Sequence, residues 1–420
     1  MNVTILGAAR QVGRSACLVK DQNSKLVIDF GVLPGKNREP TFPMHIQPND
    51  VDGLLLSHAH LDHTGAAPLF YLGKGVPLYT SPLSADLSSL LIEDFLRISG
   101  FYLPFQHMDL LHMLKNLSTI ETGKTVSVKN FNVTFNDAGH IPGSSTILIE
   151  SGKKRILYTG DVNGDQTQLL KPLFQNYGEL DMIITESTYG TSDHSPREEV
   201  EQEFVQYAKE VVERGGTLLV PAFSVGRAQE IACVLRAYDF PYVVAMDGMA
   251  LKTNNIFLKH PEFIRDASHL ERTIDGLEII KSWGARKKIV QTPSVIIAPA
   301  GMLVGGSSAF YSAKIAEKSK NGISIVSFQA PNTPGKTLLE QGYIKINGKR
   351  SKVKAEVRRF EFSSHSGKTQ LFDMLKSIKG DPTVVAVHGD EPTLLEFASS
   401  VKEELKLNTL VPNPGDEYEV

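Results

Sequence analysis

"LLLSHAHLDHTG", residues 54–65, places three histidines and an aspartate within six consecutive positions of a 420-residue chain that holds only 12 histidines. Independent placement would give such a cluster in well under about one chain in a thousand, so it asks for a chemical reason. Imidazole and carboxylate are the nitrogen and oxygen ligands of divalent cations, and this density of them points to a metal site. In an extended segment residues two apart point the same way, so His58 and His60 can grip one ion together. Asp62 and His63 follow where the chain turns into an expected helix, "TGAAPLFYLG", which redirects them toward a second ion.

Such a site needs further ligands from distant parts of the chain and an open position for substrate. The sequence offers them after apolar strands. "FNDAGHIPGSS" supplies His140, "ILYTGDVNGD" supplies Asp161 and "VVAVHGDE" supplies His388. A carboxylate such as Asp161 can bridge two cations and offset their repulsion. Two ions about 3.5–4 Å apart would clamp both the attacking and the leaving oxygen of an in-line displacement. Asp29, closing the strand "KLVID", suits either a turn or the orientation of a ligand histidine.

Composition bounds the rest. The chain is 41% hydrophobic and 22% charged, which supplies more than one core. Its two cysteines, Cys17 and Cys233, build no disulfide framework, which favours a reducing, cytoplasmic setting. No apolar run approaches the roughly 18 residues of a membrane span. Residues 1–7 read as a first strand and not as a signal peptide. The net charge of −3 shows no global basic excess, so a polyanion would need a local basic cleft.

Short apolar runs bounded by Gly, Pro, Asn and Asp make the first 190 residues strand-rich, with a helix expected over 84–99. The texture then changes. "SPREEVEQEFVQYAKEVVERGG" (195–216) carries an early proline, an acidic first turn, an apolar stripe and a glycine stop, and the strand "TLLVPA" follows it. That is βαβ texture with a parallel sheet. Near residue 355 strand–helix units resume. The expected domains are 1–190 and 355–420 as one folding unit, with 191–354 inserted.

"SHAHLDH" (57–63) is similar to the His-X-His-X-Asp-His signature of the metallo-β-lactamase superfamily. "ITESTYG" (184–190), "PAFSVGRAQE" (221–230), "PAGMLVGG" (299–306), "EFSSHSG" (361–367) and "VHGDE" (387–391) resemble the markers of its β-CASP nucleases, in the family's order. "GAARQVGRSACLV" (7–19) is more similar to the nuclease subunit of the cleavage and polyadenylation specificity factor and its archaeal relatives than to bacterial ribonuclease J. The resemblance implies an αββα metallo-β-lactamase sandwich interrupted by an α/β parallel-sheet β-CASP domain. Substrate would lie in the cleft between them.

It further implies two zinc ions, with manganese as the alternative. His58, His60 and His140 would hold one and Asp62, His63 and His388 the other, with Asp161 bridging. Glu186 and His365 would protonate the leaving oxygen. The implied reaction is hydrolysis of single-stranded RNA to a 3′-hydroxyl and a 5′-phosphate, by endonuclease or 5′-to-3′ exonuclease action. A histidine where His388 stands marks the RNA-acting members. One departure is plain: relatives often read His-Ala-Asp where this chain has His365-Ser366-Gly367. Arg227, Ser307, Ser308 and Lys336 are candidate phosphate contacts, and Tyr189 and Tyr311 candidates for stacking on a base. Trp283 reads as a packing residue. Homodimerisation is a further expectation from the resemblance. A catalytically silent RNA-binding subunit and a small-molecule metallohydrolase stand as rivals.

Overall fold

A computed structural model describes residues 1–34, 39–346 and 348–420. The chain divides into two compact units. Met1–Asp165, Pro172–Asp193 and Ser364–Val420 form the first, and Gln166–Lys171 with His194–Ser363 form the second.

The first unit is built on two seven-stranded sheets. One runs, from edge to edge, Glu417–Glu419, Asn2–Ile5, Cys17–Asp21, Ser24–Ile28, Gly53–Leu55, Leu78–Thr80 and Leu117–Thr119. The other runs Thr409–Leu410, Thr383–Val387, Met182–Glu186, Lys154–Tyr158, Ser145–Ser151, Phe131–Asp137 and Thr125–Val128. The central strands Gly53–Leu55, Met182–Glu186 and Thr383–Val387 read as nearly continuous apolar runs because both faces are buried, and successive side chains sort by parity. Ile147, Ile149, Ile156, Tyr158, Met182, Ile184, Val385 and Val387 meet Val3, Ile5, Val19, Leu26, Ile28 and Leu55 between the sheets. Leu148, Leu157, Ile183, Val384 and Ala386 point the opposite way. There they pack on Leu371, Phe372 and Leu375 of helix Lys368–Ser377 and on Leu394 and Phe397 of helix Glu391–Ser400. Leu18, Val27, Leu54 and Leu56 likewise pack on Phe70, Ile92, Leu110 and Met113. The result is the four-layer αββα arrangement that the resemblance implies.

Two local readings shift. The helix expected over 84–99 spans Pro82–Ser99, because Ser81 caps it, its hydroxyl accepting the Ser84 N–H, and Pro82 is tolerated in a first turn. Asp62 and His63 do not precede a helix. They lie within a short helical turn, Leu61–Thr64, and a 3-10 stretch follows at Ala67–Tyr71.

The second unit is a six-stranded, wholly parallel sheet in the order Glu278–Ile280, Val244–Asp247, Ser294–Pro299, Thr217–Ala222, Gly322–Ile325 and Glu356–Arg359. Helices cover both faces: Phe204, Val211 and Ile231 pack on one, Tyr311 and Ile315 on the other. Glu356–Arg359 closes this sheet by pairing with Gly322–Ile325, and the chain re-enters the first unit at Ser364. Among the described residues no helix is long and apolar enough to cross a membrane.

The segment carrying His365 is anchored through its neighbours. Ser366 donates its N–H to the Val162 carbonyl at 2.7 Å, and its hydroxyl accepts the Gly164 N–H at 3.0 Å. The next position explains the departure from the family pattern. A Cβ on Gly367 would lie 2.7 Å from Asp193 Oδ1. Asp193 accepts the N–H and the hydroxyl of Thr369 at 2.8 and 2.7 Å, so a carboxylate from another segment already serves the start of helix Lys368–Ser377. We therefore expect Gly367→Asp to cost about 1–3 kcal/mol through overpacking, with like-charge repulsion added. Combining it with Asp193→Gly should recover most of that loss in urea unfolding. Equal losses in the single and double variants would remove this account.

Candidate metal centre

Every candidate ligand of the first unit sits just beyond the carboxyl end of a strand. Lys154–Tyr158, Met182–Glu186 and Thr383–Val387 are mutually parallel, so Asp161, Glu186 and His388 emerge at one edge of their sheet. Phe131–Asp137, two antiparallel steps away, runs in the same sense and delivers His140 to that edge. In the facing sheet, Ser24–Ile28 and Gly53–Leu55 are parallel and deliver Asp29 and the 57–63 loop. Asp29 and His388 leave their strands in the left-handed region, at φ +54° and +52°. Strain of this kind costs about 1–3 kcal/mol a residue and gathers at functional sites.

The side chains converge in three overlapping groups: His58, His60, His140 and Asp161; Asp62, His63 and His388; and Asp161, Glu186 and His365. Asp161 stands in the middle. Its Oδ2 lies 3.6 Å from His58 Nε2 and 3.5 Å from His140 Nε2, while its Oδ1 lies 3.2 Å from His63 Nε2 and 3.5 Å from His388 Nδ1. Each oxygen thus faces a different group. His388 Nε2 is 3.3 Å from Asp62 Oδ2.

Surrounding groups decide which nitrogen of each ring is available. His63 Nδ1 donates to Asp29 at 2.7 Å, and Asp29 also accepts the Ser57 N–H and hydroxyl at 2.7 Å and the Tyr158 hydroxyl at 2.9 Å. His140 Nδ1 donates to the Ser364 carbonyl at 2.7 Å. With those protons placed, the Nε2 atoms of both rings face Asp161. His140 Nε2 also lies 3.1 Å from His60 Nδ1. His58 Nε2 and Asp161 Oδ1 are buried and, among the described residues, have no hydrogen-bond partner. Burial and neighbouring histidines push the pKa of His58 and of His140 well below the usual value, so these rings are neutral. For Asp62, burial works upward, but His388 and His63 outweigh it and hold the carboxyl ionised. For His63, burial works downward and is outweighed by Asp161 and Asp29. Lone pairs and carboxylates packed this closely, with so few donors, fit a site completed by divalent cations.

Glu186 and His365 form a pair beside this cluster. His365 Nδ1 is 2.9 Å from both Glu186 oxygens, and its Nε2 is 4.0 Å from Asp161 Oδ2. Glu186 also accepts the Val162 N–H at 2.8 Å and the Thr188 hydroxyl at 2.6 Å. Burial lowers the pKa of His365, but Glu186 and Asp161 outweigh it and hold the value at about 9. The supporting residues Ser57, Tyr158 and Thr188 carry no motif of their own. Their signal is adjacency: each lies within three residues of His58, Asp161 or Glu186.

The candidate phosphate contacts all lie in the second unit. Arg227 opens helix Arg227–Ala237 after Gly226. Ser308 donates to the Ala300 carbonyl at 3.0 Å, and Lys336 pairs with Glu340 at 3.0 Å, so both have partners already. Ser307 is buried and its hydroxyl has no partner among the described residues. Tyr311 is fully buried with its hydroxyl on Asp247 at 2.7 Å, which removes it as a stacking surface.

Comparison with known proteins agrees with this architecture. The profile of the metallo-β-lactamase superfamily matches residues 9–213, the β-CASP domain residues 228–338, and the Zn-dependent metallo-hydrolase RNA specificity domain residues 350–412. The chain is 39% identical to RNase aCSPSF2 of Saccharolobus solfataricus over 98% of this chain and 84% of that protein. It is 34% identical to Probable RNase MJ4 of Methanocaldococcus jannaschii over 93% and 94%. With Transcription termination factor FttA of the same organism it shares 33% identity over 98% and 70%. A crystal structure of a protein of unknown function from Enterococcus faecalis V583 shares the fold, with a TM-score of 0.63 at 16% identity over 99% of each chain. The chain therefore belongs to the β-CASP ribonuclease family of the metallo-β-lactamase superfamily.

Proposed function

We propose that the protein is a ribonuclease that hydrolyses phosphodiester bonds of single-stranded RNA with two zinc ions, manganese being the alternative. The observation that carries this reading is the buried convergence of His58, His60, His140, Asp161, Asp62, His63 and His388 beside a paired Glu186 and His365. The names of the ribonuclease relatives and of the RNA specificity domain support the choice of polymer.

When bound, the cations supply Lewis acidity toward the phosphate and toward water. The first group of residues would hold one ion, the second group the other, and Asp161 would face both. The chain's own work is positional and protonic. Asp29 accepts from His63 Nδ1 and so fixes the tautomer that leaves Nε2 as a ligand. Ser364 does the same for His140 through its carbonyl. Glu186 accepts from His365 Nδ1, which leaves the proton on Nε2 facing Asp161. Delivery of that proton to the departing 3′-oxygen leaves a 3′-hydroxyl and a 5′-phosphate. FttA relatives named for transcription termination favour a second reading of purpose, in which the same cut acts on a nascent transcript.

RNA labelled at either end separates the remaining choices. Internal fragments would indicate an endonuclease, and mononucleotides released from the 5′ end an exonuclease. Cutting should stop on chelation and in Asp62→Ala; undiminished cutting by that variant would refute the two-ion reading, and binding without cutting by the zinc-loaded protein would favour the silent subunit. Lactam or thioester turnover in place of RNA cleavage would favour the small-molecule hydrolase.

His365→Ala should lower kcat by about 10²- to 10⁴-fold, the usual worth of a positioned acid, with metal content unchanged. Loss of metal in that variant would make His365 a ligand. Asp29→Asn should weaken metal affinity about 10- to 100-fold, read by competition with a chromophoric chelator. Wild-type affinity would reduce Asp29 to a turn residue.

A further inference from the structure

The carboxyl edge of the second unit's sheet carries an exposed aromatic and basic surface that extends beyond the motif segments 221–230 and 299–306. Trp283, the single tryptophan of the chain, opens the helix Trp283–Ile289 shortly after the strand Glu278–Ile280. Its sequence context reads as packing, and its indole does rest on Phe310, with ring centroids 4.6 Å apart. Yet 54% of its surface is exposed. Lys281, Lys287 and Lys288 around it are exposed as well. None of these three lysines makes an ion pair among the described residues, and Lys287 Nζ lies 5.9 Å from the indole centroid. Residues 281–288 hold four cations and no carboxylate in a chain of net charge −3.

The fourth cation, Arg286, is committed elsewhere. It reaches Asp247 with two bonds of 2.7 and 2.9 Å, and Tyr311 donates its hydroxyl to the same buried carboxylate at 2.7 Å. This clamp ties the helix to the end of the neighbouring strand Val244–Asp247, so Trp283 and the lysines are presented on a rigid base. Two further exposed aromatics emerge at the same edge, because all the strands run parallel: Phe223 after Thr217–Ala222 and Phe328 after Gly322–Ile325. Trp283 and Phe223 belong to strands three spacings apart, about 14 Å.

Exposed rings interleaved with uncompensated cations are the composition of a single-strand platform, in which bases stack and phosphates meet ammonium groups. We propose that Trp283 stacks on a base of single-stranded RNA and that Lys281, Lys287 and Lys288 take the adjoining phosphates. This contact is additional to the metal centre and rests on the ribonuclease reading above.

The single tryptophan makes the contact directly observable. Oligouridylate added to the Asp62→Ala protein should quench indole fluorescence saturably, more weakly as salt rises, whereas inorganic polyphosphate, with charge but no bases, should not. In the otherwise wild-type enzyme, Trp283→Ala should raise KM for RNA about tenfold, in the range expected for one lost stacked base. It should leave kcat unchanged, and Trp283→Tyr should restore KM. Thermal unfolding of both variants separates these effects from the lost contact with Phe310. RNA cleavage by wild type with no quench, and with wild-type KM in Trp283→Ala, would overturn the platform and leave the ribonuclease reading standing. A changed oligomeric state with unchanged RNA affinity would also overturn it, in favour of a protein interface. Absence of any RNA cleavage or binding by wild type would instead overturn the ribonuclease reading itself.

Discussion

A carboxylate removed from water must be compensated, and the first unit is organised around three that are buried: Asp29, Glu186 and Asp161. Two of them are fully provided for. Asp29 collects a backbone N–H, two hydroxyls and an imidazole N–H. Glu186 collects a backbone N–H, a hydroxyl and His365. Asp161 has no such set. Its neighbours are imidazole nitrogens, several of them with their protons directed elsewhere, and among the described residues one of its oxygens has no hydrogen bond. The protein satisfies its other buried acids so thoroughly that the exception is best understood as a place kept for positive charge.

The fold makes that place possible by direction more than by proximity in sequence. Parallel strands put their carboxyl ends on one edge, so residues as distant as Asp161, Glu186 and His388 meet while each stays within three residues of the end of its strand. The packed core between the sheets holds those ends rigid. The left-handed turns at Asp29 and His388 then aim the side chains, and their strain is borne by strands buried on both faces.

Much of this was legible in the residues alone. That His58, His60, Asp62, His63, His140, Asp161 and His388 gather in one place, and which strands carry them, could be read because imidazoles and carboxylates clustered after apolar runs have a distinctive chemistry. What escaped depended on contacts between distant segments. Nothing near Gly367 signals that Asp193 takes up the room its side chain would need. Nothing within Glu356–Arg359 tells which sheet it joins, since half-buried edge strands of either unit look alike. Asp62 and His63 looked like the approach to a helix, but a single helical turn of four residues has no periodicity to detect. Trp283 reads as a packing residue and does pack on Phe310, but that is half of the account. Only the fold shows that about half of its surface, 54%, faces water.

The same side chain does different work here according to what stands at its second nitrogen. His140 gives one proton to a carbonyl and lies buried among other imidazoles. It is therefore neutral, with a lone pair to offer. His365 has a carboxylate at the equivalent place, and a carboxylate favours the charged ring where a carbonyl does so far less, so it keeps a second proton near neutrality. The two rings are only 4.6 Å apart between centroids. Pushing apart the proton affinities of neighbouring groups is how a protein assigns one to binding and the other to acid catalysis. In this chain burial and the neighbouring histidines hold the affinity of His140 down, while Glu186 and Asp161 hold that of His365 up.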